Sequence, residues 1–526
     1  MRPPLPHHPA IPCLVALVLL AAAPTPALDL TSREQAGKRI YLSGESPSGT
    51  EIGVKLGRDG STLPGTAAPC GSCHGADGQG RPEGGVRPSA IVWSELAKPY
   101  GHTHLGGGRK HPPFTEATLA RAVREGLDPA GNPLDVSMPR YAMTDEDLGR
   151  LAAYLRRLEE DLDPGIGAGT LRIGTVLPIS GALADVGVPM RSVLTGWFEA
   201  LNRRGGVHGR RVELVVGGYD ADREDGVEAA RALLRDGDVL ALVSGLFPAA
   251  EPEVATLVEA ARVPMVGPFS LFARNGTGGA WIFHPAGGLR EQARALAVFA
   301  VRDLGGGARR FAVVHAPEAP YAEAARAAAG EFLARGAPPP EILPLPVEPG
   351  GVAERLGPGG FDAVLALCDD AALDGLARAL GATGRTPPLL ASGTLSGRAA
   401  TQVAGRQPGK VFLAFPGSPT DESAATAQEL ARLREAAGSA GRARASQASA
   451  VVDAVVLVEG LKRAGRALSR EKLVESLEAL HAFETGLSPP VTFGPDRRIG
   501  ALGAHVVRVD PAGKSFVPVG GWIPLE

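Results

Sequence analysis

Cysteine is scarce in this chain, with four residues in 526. Cys13 lies in an N-terminal apolar run and Cys368 in a distant one, so a disulfide framework is excluded and only Cys70 and Cys73 stand close enough in sequence to act together. Long hydrophobic runs are also missing: past the N-terminus nothing approaches the ~18 unbroken apolar residues of a membrane helix. A net charge of −3 gives no basic surface for a nucleic acid. There is no Gly-x-Ser-x-Gly elbow, no His-Glu-x-x-His pair and no phosphate loop. Glycine pairs such as Gly306-Gly307 lack the G-x-G-x-x-G spacing of a dinucleotide site.

What is present begins with a secretory signal over residues 1–27: Arg2, a Pro/His stretch, an apolar run from Leu14 to Ala23 and a small-residue site ending at Ala27. Cys13 follows Pro12 rather than a small residue, which argues against a lipoprotein anchor. The expectation is an exported protein, periplasmic and without a membrane anchor once the signal is cut. Cys368, in Val364-Leu365-Ala366-Leu367-Cys368, reads as a small buried apolar residue.

The chemistry is concentrated in Cys70-Gly71-Ser72-Cys73-His74. Two thiols at this spacing can add to the vinyl groups of a haem, and the adjacent imidazole can take one axial position on its iron. A zinc site needs two more soft ligands at short spacing, and none follow. A thioredoxin-like dithiol needs a βαβ setting, whereas a Gly/Pro/Ser/Thr-rich loop precedes this motif.

Three helices are expected around it. One starts at Ser32, with Gln35 completing a capping box and Ala36, Ile40 and Tyr41 on one face; Gly37 lets an aromatic such as Tyr154 come close. A second is capped by Thr115, and a third starts at Thr144 with Leu148, Leu151, Tyr154, Leu155 and Leu158 as its stripe. The opposite axial ligand has several candidates: Met138, Met143, His102, His104 and His111. Met138 sits in Ser137-Met138-Pro139, where a proline-fixed loop can hold a thioether over the ring; Met143 reads as core. The three histidines read as solvated loop residues, with bis-histidine ligation the alternative.

The first domain, residues 30–162, resembles the class I c-type cytochromes over most of residues 31 to 160, through Gly37, Tyr41, Cys70, Cys73, His74, Met138, Pro139, Tyr154 and Leu155. The resemblance implies one covalent haem c on Cys70 and Cys73, with His74 and Met138 on the iron.

Residues 163–169 form a glycine-rich linker by composition. From 170 to 526 apolar strands alternate with helices: Leu171 to Leu177, Val212 to Val216, Val239 to Val243 and Val263 to Val266, then Phe311 to His315 and Ala363 to Leu367. Two such runs imply two lobes of parallel sheet with helices on both faces, and a ligand cleft at the carboxyl ends of the strands. Ile173-Gly174, Ile179-Ser180-Gly181, Gly187, the glycines between Asn202 and Gly209, Asp220 and Val263-Pro264 make this part similar to the type I periplasmic solute-binding proteins of the branched-chain amino-acid (ABC transporter substrate-binding) family. The expected fold is therefore multidomain: a small all-α cytochrome c domain, then a two-lobed α/β type I periplasmic binding-protein fold.

The cleft departs from that family. Its amino-acid binders place hydroxyl groups against the ligand carboxylate and an acid near the ammonium; here the corresponding places hold Pro248-Ala249-Ala250, Phe269-Ser270-Leu271 and Gly393-Thr394. Burying a zwitterion without partners costs several kcal/mol, so a small, weakly polar organic solute is expected. The cleft residues are Ser180, Ala249, Ala250, Phe269, Ser270, Leu271, Tyr321, Asp369 and Thr394. Backbone amides of Ala250 and Ser270 are the candidate polar contacts, Phe269, Leu271 and Tyr321 the apolar wall, and Asp369 and Asp370 either cleft acids or helix caps.

Two functions remain open. One is an electron-transfer protein, not itself an enzyme, that serves a periplasmic oxidation by accepting electrons from a quinoprotein alcohol or aldehyde dehydrogenase or another cytochrome. The other is the receptor of an ABC uptake permease, with the cytochrome as sensor or docking element.

Overall fold

A computed structural model of the chain describes residues 28–57, 60–80, 86, 88–104, 109–275, 280–304, 310–345, 360–382, 384, 386–439, 441–510, 512 and 515–525. The signal sequence and Cys13 lie outside the described residues. No helix among the described residues is long and apolar enough to cross a membrane.

The N-terminal part is a helical wrapper with more strand than expected. Helices Ser32–Ser43, Glu116–Glu125 and Asp145–Leu155 surround the short helix Cys70–His74. A three-stranded antiparallel sheet (Thr62–Pro64, Gly53–Lys55, Arg140–Ala142) and a two-stranded one (His102–Thr103 with Lys110–His111) complete it. The first helix is capped one residue earlier than the sequence suggested: Thr31 accepts from the Glu34 amide while Glu34 returns to the Thr31 amide. Thr115 and Thr144 cap their helices as expected. Gly37 is required by packing, since a Cβ there would lie 2.0 Å from the Arg150 carbonyl oxygen and 2.7 Å from Tyr154 Cβ. That close crossing brings the Tyr41 and Tyr154 rings to 5.7 Å, and both residues are buried in the domain core.

Beyond residue 170 the alternating pattern produces two sheets. The first lobe is a six-stranded parallel sheet in the order Ile499–Ala501, Ile282–Ala286, Met265–Val266, Ala241–Val243, Thr170–Ser180, Arg211–Asp220. The second has seven strands: Glu341–Pro344, Phe311–His315, Ala363–Leu367, Leu389–Ser392 and Val411–Phe415 run parallel, and Gly503–Val509 and Phe516–Pro524 close the edge antiparallel. Strands buried on both faces need continuous apolar runs, which is why they are legible in sequence. Cys368 lies fully buried in the second lobe.

The chain crosses between lobes after strand Ile282–Ala286, after Val411–Phe415 and after Ile499–Ala501. The returning helices Ala424–Ala436, Arg444–Ala464 and Arg470–Glu478 contribute to the core of the first lobe. At the first lobe's strand end, Gly187 has no room for a Cβ, which would lie 2.0 Å from the Pro178 carbonyl oxygen. The glycine-rich segment 163–169 is not a free tether. Ile166 is 7% exposed in the first lobe's core, the Gly165 amide donates to Asp238 Oδ1 at 3.0 Å, and Asp163 Oδ2 accepts from the Arg470 amide at 2.6 Å. Lys472 Nζ adds an ion pair to Asp77 Oδ2 at 2.6 Å, tying the loop after His74 to the same lobe.

Candidate functional site

Cys70, Cys73 and His74 occupy one short helix begun at Pro69. Positions i, i+3 and i+4 share a helix face, so both thiols and the imidazole reach one cavity. Two tyrosines hold the flanking backbone: Tyr141 Oη donates to the Ala68 carbonyl at 2.9 Å and Tyr41 Oη to the Gly75 carbonyl at 2.6 Å. Both cysteines are free thiols, Cys73 exposed and Cys70 partly covered; burial pushes the Cys70 thiol up to about 12.

His74 Nδ1 lies 2.9 Å from the Ser89 carbonyl oxygen. A carbonyl only accepts, so Nδ1 carries the proton and Nε2 keeps the lone pair that a metal needs. Burial also lowers the His74 pKa, with the Ser89 contact opposing it, and the neutral ring is the ligating form.

The cavity measures about 530 Å³ and is walled by Tyr41, Leu96, Phe114, Leu119, Val123, Tyr141, Leu151 and Leu155, with Met138 and Pro139 also on its surface. That size suits a single large cofactor. Donors at one wall, a thioether in the lining and an apolar interior fit a covalently attached haem. Met138 is held by its loop: Asp135 accepts from the Ser137 amide at 2.9 Å and from Ser137 Oγ at 2.8 Å, the Met138 amide donates to the Asp135 carbonyl at 3.2 Å, and Arg140 donates to the Met138 carbonyl. Met143 is 5% exposed, packs in the core and is not part of the cavity lining.

The histidines are placed differently from the expectation of solvated loop residues. His102, His104 and His111 all line the cavity, and His111 is 9% exposed. The strand pair that joins them is formed by residues thirty-odd positions beyond the haem-binding motif and carries no local sequence signature of its own.

In the second part, the predicted cleft residues fall at strand ends, in loops and in the first turns of helices, but do not all serve as expected. Ser180 ends its strand and is exposed. The Ala249 side chain lies outside the described set. The Ala250 amide is already committed, donating to the Phe247 carbonyl at 2.9 Å, and is withdrawn as a ligand contact. Ser270 Oγ donates to the Glu251 carboxylate, an acid that sequence reading missed because an acidic first-turn residue looks like an ordinary helix-dipole partner. Burial raises the Glu251 pKa.

Phe269 is 42% exposed. Leu271 and Tyr321 pack on the second lobe's core, and Tyr321 meets Phe272 edge-on at 5.2 Å. Asp369 Oδ1 accepts from the Ala372 amide at 2.8 Å, capping the helix that follows it, and Asp370 Oδ1 accepts from the Ala399 amide at 2.7 Å, just past the kink in helix Gly393–Arg406. Thr394 Oγ1 accepts from Gln292 at 3.2 Å, and Ser392 Oγ donates to the same glutamine at 2.7 Å. Buried Gln292 was the second residue missed.

Comparison with known proteins accords with this division. The cytochrome c family profile matches residues 58–159, and the periplasmic binding protein profile matches residues 170–514. A search of curated proteins gave no match. Among solved structures, a fatty acid ABC transporter substrate-binding protein from Thermomonospora curvata is 20% identical, with TM-score 0.54, covering 69% of this chain and 95% of its own. A branched chain amino acid ABC transporter from Thermus thermophilus with bound valine is 16% identical, TM-score 0.54, covering 68% and 97%. A periplasmic binding protein type 1 from Bordetella pertussis is 18% identical, TM-score 0.53, covering 68% and 100%. At these identities the likeness establishes the fold of residues beyond 170.

Proposed function

The chain belongs to the periplasmic binding protein family, and from that premise we propose that it is an exported electron-transfer protein whose binding module recognises a small, weakly polar organic molecule taking part in a periplasmic oxidation. The observation that carries this reading is the haem-fitting cavity at Cys70, Cys73 and His74, and it is supported by the sequence at the expected cleft, where Pro248-Ala249-Ala250 and Phe269-Ser270-Leu271 offer Ser270 as their one hydroxyl. One haem bound through Cys70 and Cys73 supplies reversible one-electron transfer at iron. His74, oriented by Ser89, would hold the iron through Nε2, and Met138, on a loop fixed by Asp135 and Pro139, would supply a second ligand. Tyr41, Tyr141 and the apolar wall hold the motif in place and keep water out, which raises the potential along with the thioether.

Ser270, one of the predicted cleft residues, is bonded to the Glu251 carboxyl. An acid there repels an anionic end group, which supports a neutral ligand over an amino acid. The electron donor suited to this arrangement is a quinoprotein alcohol or aldehyde dehydrogenase or another periplasmic cytochrome. A second reading, a receptor for an ABC permease with the cytochrome as sensor or docking element, is favoured by the transporter-associated structural relatives named above.

A thermal-shift screen of the holoprotein with small alcohols, aldehydes, carboxylic acids and amino acids, read together with the haem potential, tests the proposal. Stabilisation by neutral alcohols or aldehydes supports it. Tight amino-acid binding overturns the reading of the cleft, and an unchanged potential on ligand binding removes any role for lobe closure in tuning the haem.

A further inference from the structure

One wall of the cavity is built unlike the rest. The ring centroids of His102 and His104 lie 4.5 Å apart, those of His104 and His111 5.3 Å, and those of His102 and His111 5.9 Å. Arg109 joins them with Nη2 2.9 Å from His104 Nε2. Its Nη1 is 2.9 Å from Asp128 Oδ2, and fully buried Asp128 is itself fixed by the amides of Ala130 and Asn132, each at 2.9 Å. The guanidinium is thereby held toward the cavity. Arg109 is the single lysine or arginine in the lining among the described residues.

Arg109 Nη2 can only donate to His104 Nε2, His111 Nδ1 lies 2.8 Å from the Pro112 carbonyl, and the Nε2 atoms of His104 and His111 face each other at 3.1 Å. One guanidinium and the imidazoles of His102, His104 and His111 are thereby gathered on one side of a cavity whose other walls are mainly apolar. A fixed guanidinium with imidazole N–H groups beside it is the donor set that an anionic group takes.

A haem brings two carboxylates, its propionates, and nowhere else does the described lining offer a cation. We propose that the His104–Arg109–His111 wall is the cradle of the haem propionates, with Arg109 as their charged partner and the imidazoles as further hydrogen-bond partners. This rests on the haem reading above. It also assigns these histidines a role away from the iron, leaving the axial position opposite His74 to Met138.

The test uses the full chain matured with haem. Arg109→Gln and His111→Gln are expected to retain covalent haem, to shift the propionate bending bands in resonance Raman, and to lower the midpoint potential, because the cation or hydrogen-bond donor removed no longer stabilises the more negative ferrous state. Arg109→Lys should restore most of the potential, and Arg39→Gln, at a surface ion pair with Glu45, should change neither readout. Should Arg109→Gln strand Asp128 and fail to fold, His111→Gln leaves that ion pair intact and carries the same readouts. Wild-type propionate bands and potential in His111→Gln overturn the cradle, as does a change in axial-ligand spectrum in that variant, which would place His111 on the iron. Absence of covalent haem from the wild-type protein would instead overturn the electron-transfer reading itself.

Discussion

The haem cavity and the solute cleft sit on the same chain and are built in opposite ways. The cavity takes its donors from five consecutive residues, Cys70 to His74, on one helical turn, whereas the predicted cleft draws on residues far apart in sequence, from Ser180 to Thr394, at strand ends and in the first turns of following helices. Chemistry set by local spacing is fixed before the fold is complete. Chemistry set by loop convergence exists only after two lobes have packed, and it can be lost or altered one residue at a time while the fold persists.

This comparison can be broken from the haem side first. Replacing Cys70 and Cys73 together with Ala is expected to eliminate covalent haem entirely, as measured by pyridine haemochrome, and to lower the melting transition of the cytochrome part while leaving that of the lobes. Loss of both transitions would show that the two parts fold as one unit. Gly37→Val comes next, because its Cβ would overlap the Arg150 carbonyl; overpacking of this kind costs about 3 kcal/mol, seen as a lower denaturation midpoint for the cytochrome transition alone.

On the lobe side, burial pushes the His284 imidazole down from 6.5 to about 4, partly offset by its contact with the Pro268 carbonyl. The folded state thus holds a neutral ring where the unfolded chain takes up a proton. Stability contributed by this residue is present above pH 6.5 and is lost as the pH falls from 6.5 toward 4. His284→Gln should flatten that part of the pH profile of lobe unfolding, while an unchanged profile would remove His284 as its source. The smallest effect belongs to Lys472→Ala: the Lys472–Asp77 pair joins the two parts with side chains 26% and 23% exposed, and breaking it should cost no more than ~1 kcal/mol. A calorimetric trace in which the cytochrome and lobe transitions separate further would confirm that the pair couples them.

Legibility in the sequence followed the same divide. The haem-binding motif, the caps at Thr115 and Thr144, the close crossing at Gly37 and the strand–helix alternation of both lobes are all carried by patterns within a few residues. The histidine wall was not visible, because His102 and His111 meet only through a short hairpin in a loop whose composition suggests solvent. Glu251 looked like a helix-dipole partner and Ala250 like a free amide until the fold paired one with Ser270 and the other with Phe247. Residues 163–169 have a linker's composition, yet Gly165 lets the backbone lie against Val239 and Leu240, which only the tertiary structure reveals. The antiparallel closing strands Gly503–Val509 and Phe516–Pro524 escaped for a similar reason, since nothing in their own residues specifies the partner strand.

The central claim is a haem on Cys70 and Cys73 whose iron is closed by His74 and Met138, and the ferric absorption spectrum tests it most directly. The wild-type protein and Met143→Ala should both show the weak sulfur-to-iron charge-transfer band, although Met143→Ala loses about 3 kcal/mol of stability by opening a core cavity. Met138→Ala should lack the band and have a lower midpoint potential. A band that survives in Met138→Ala, or that disappears in Met143→Ala instead, would contradict the account.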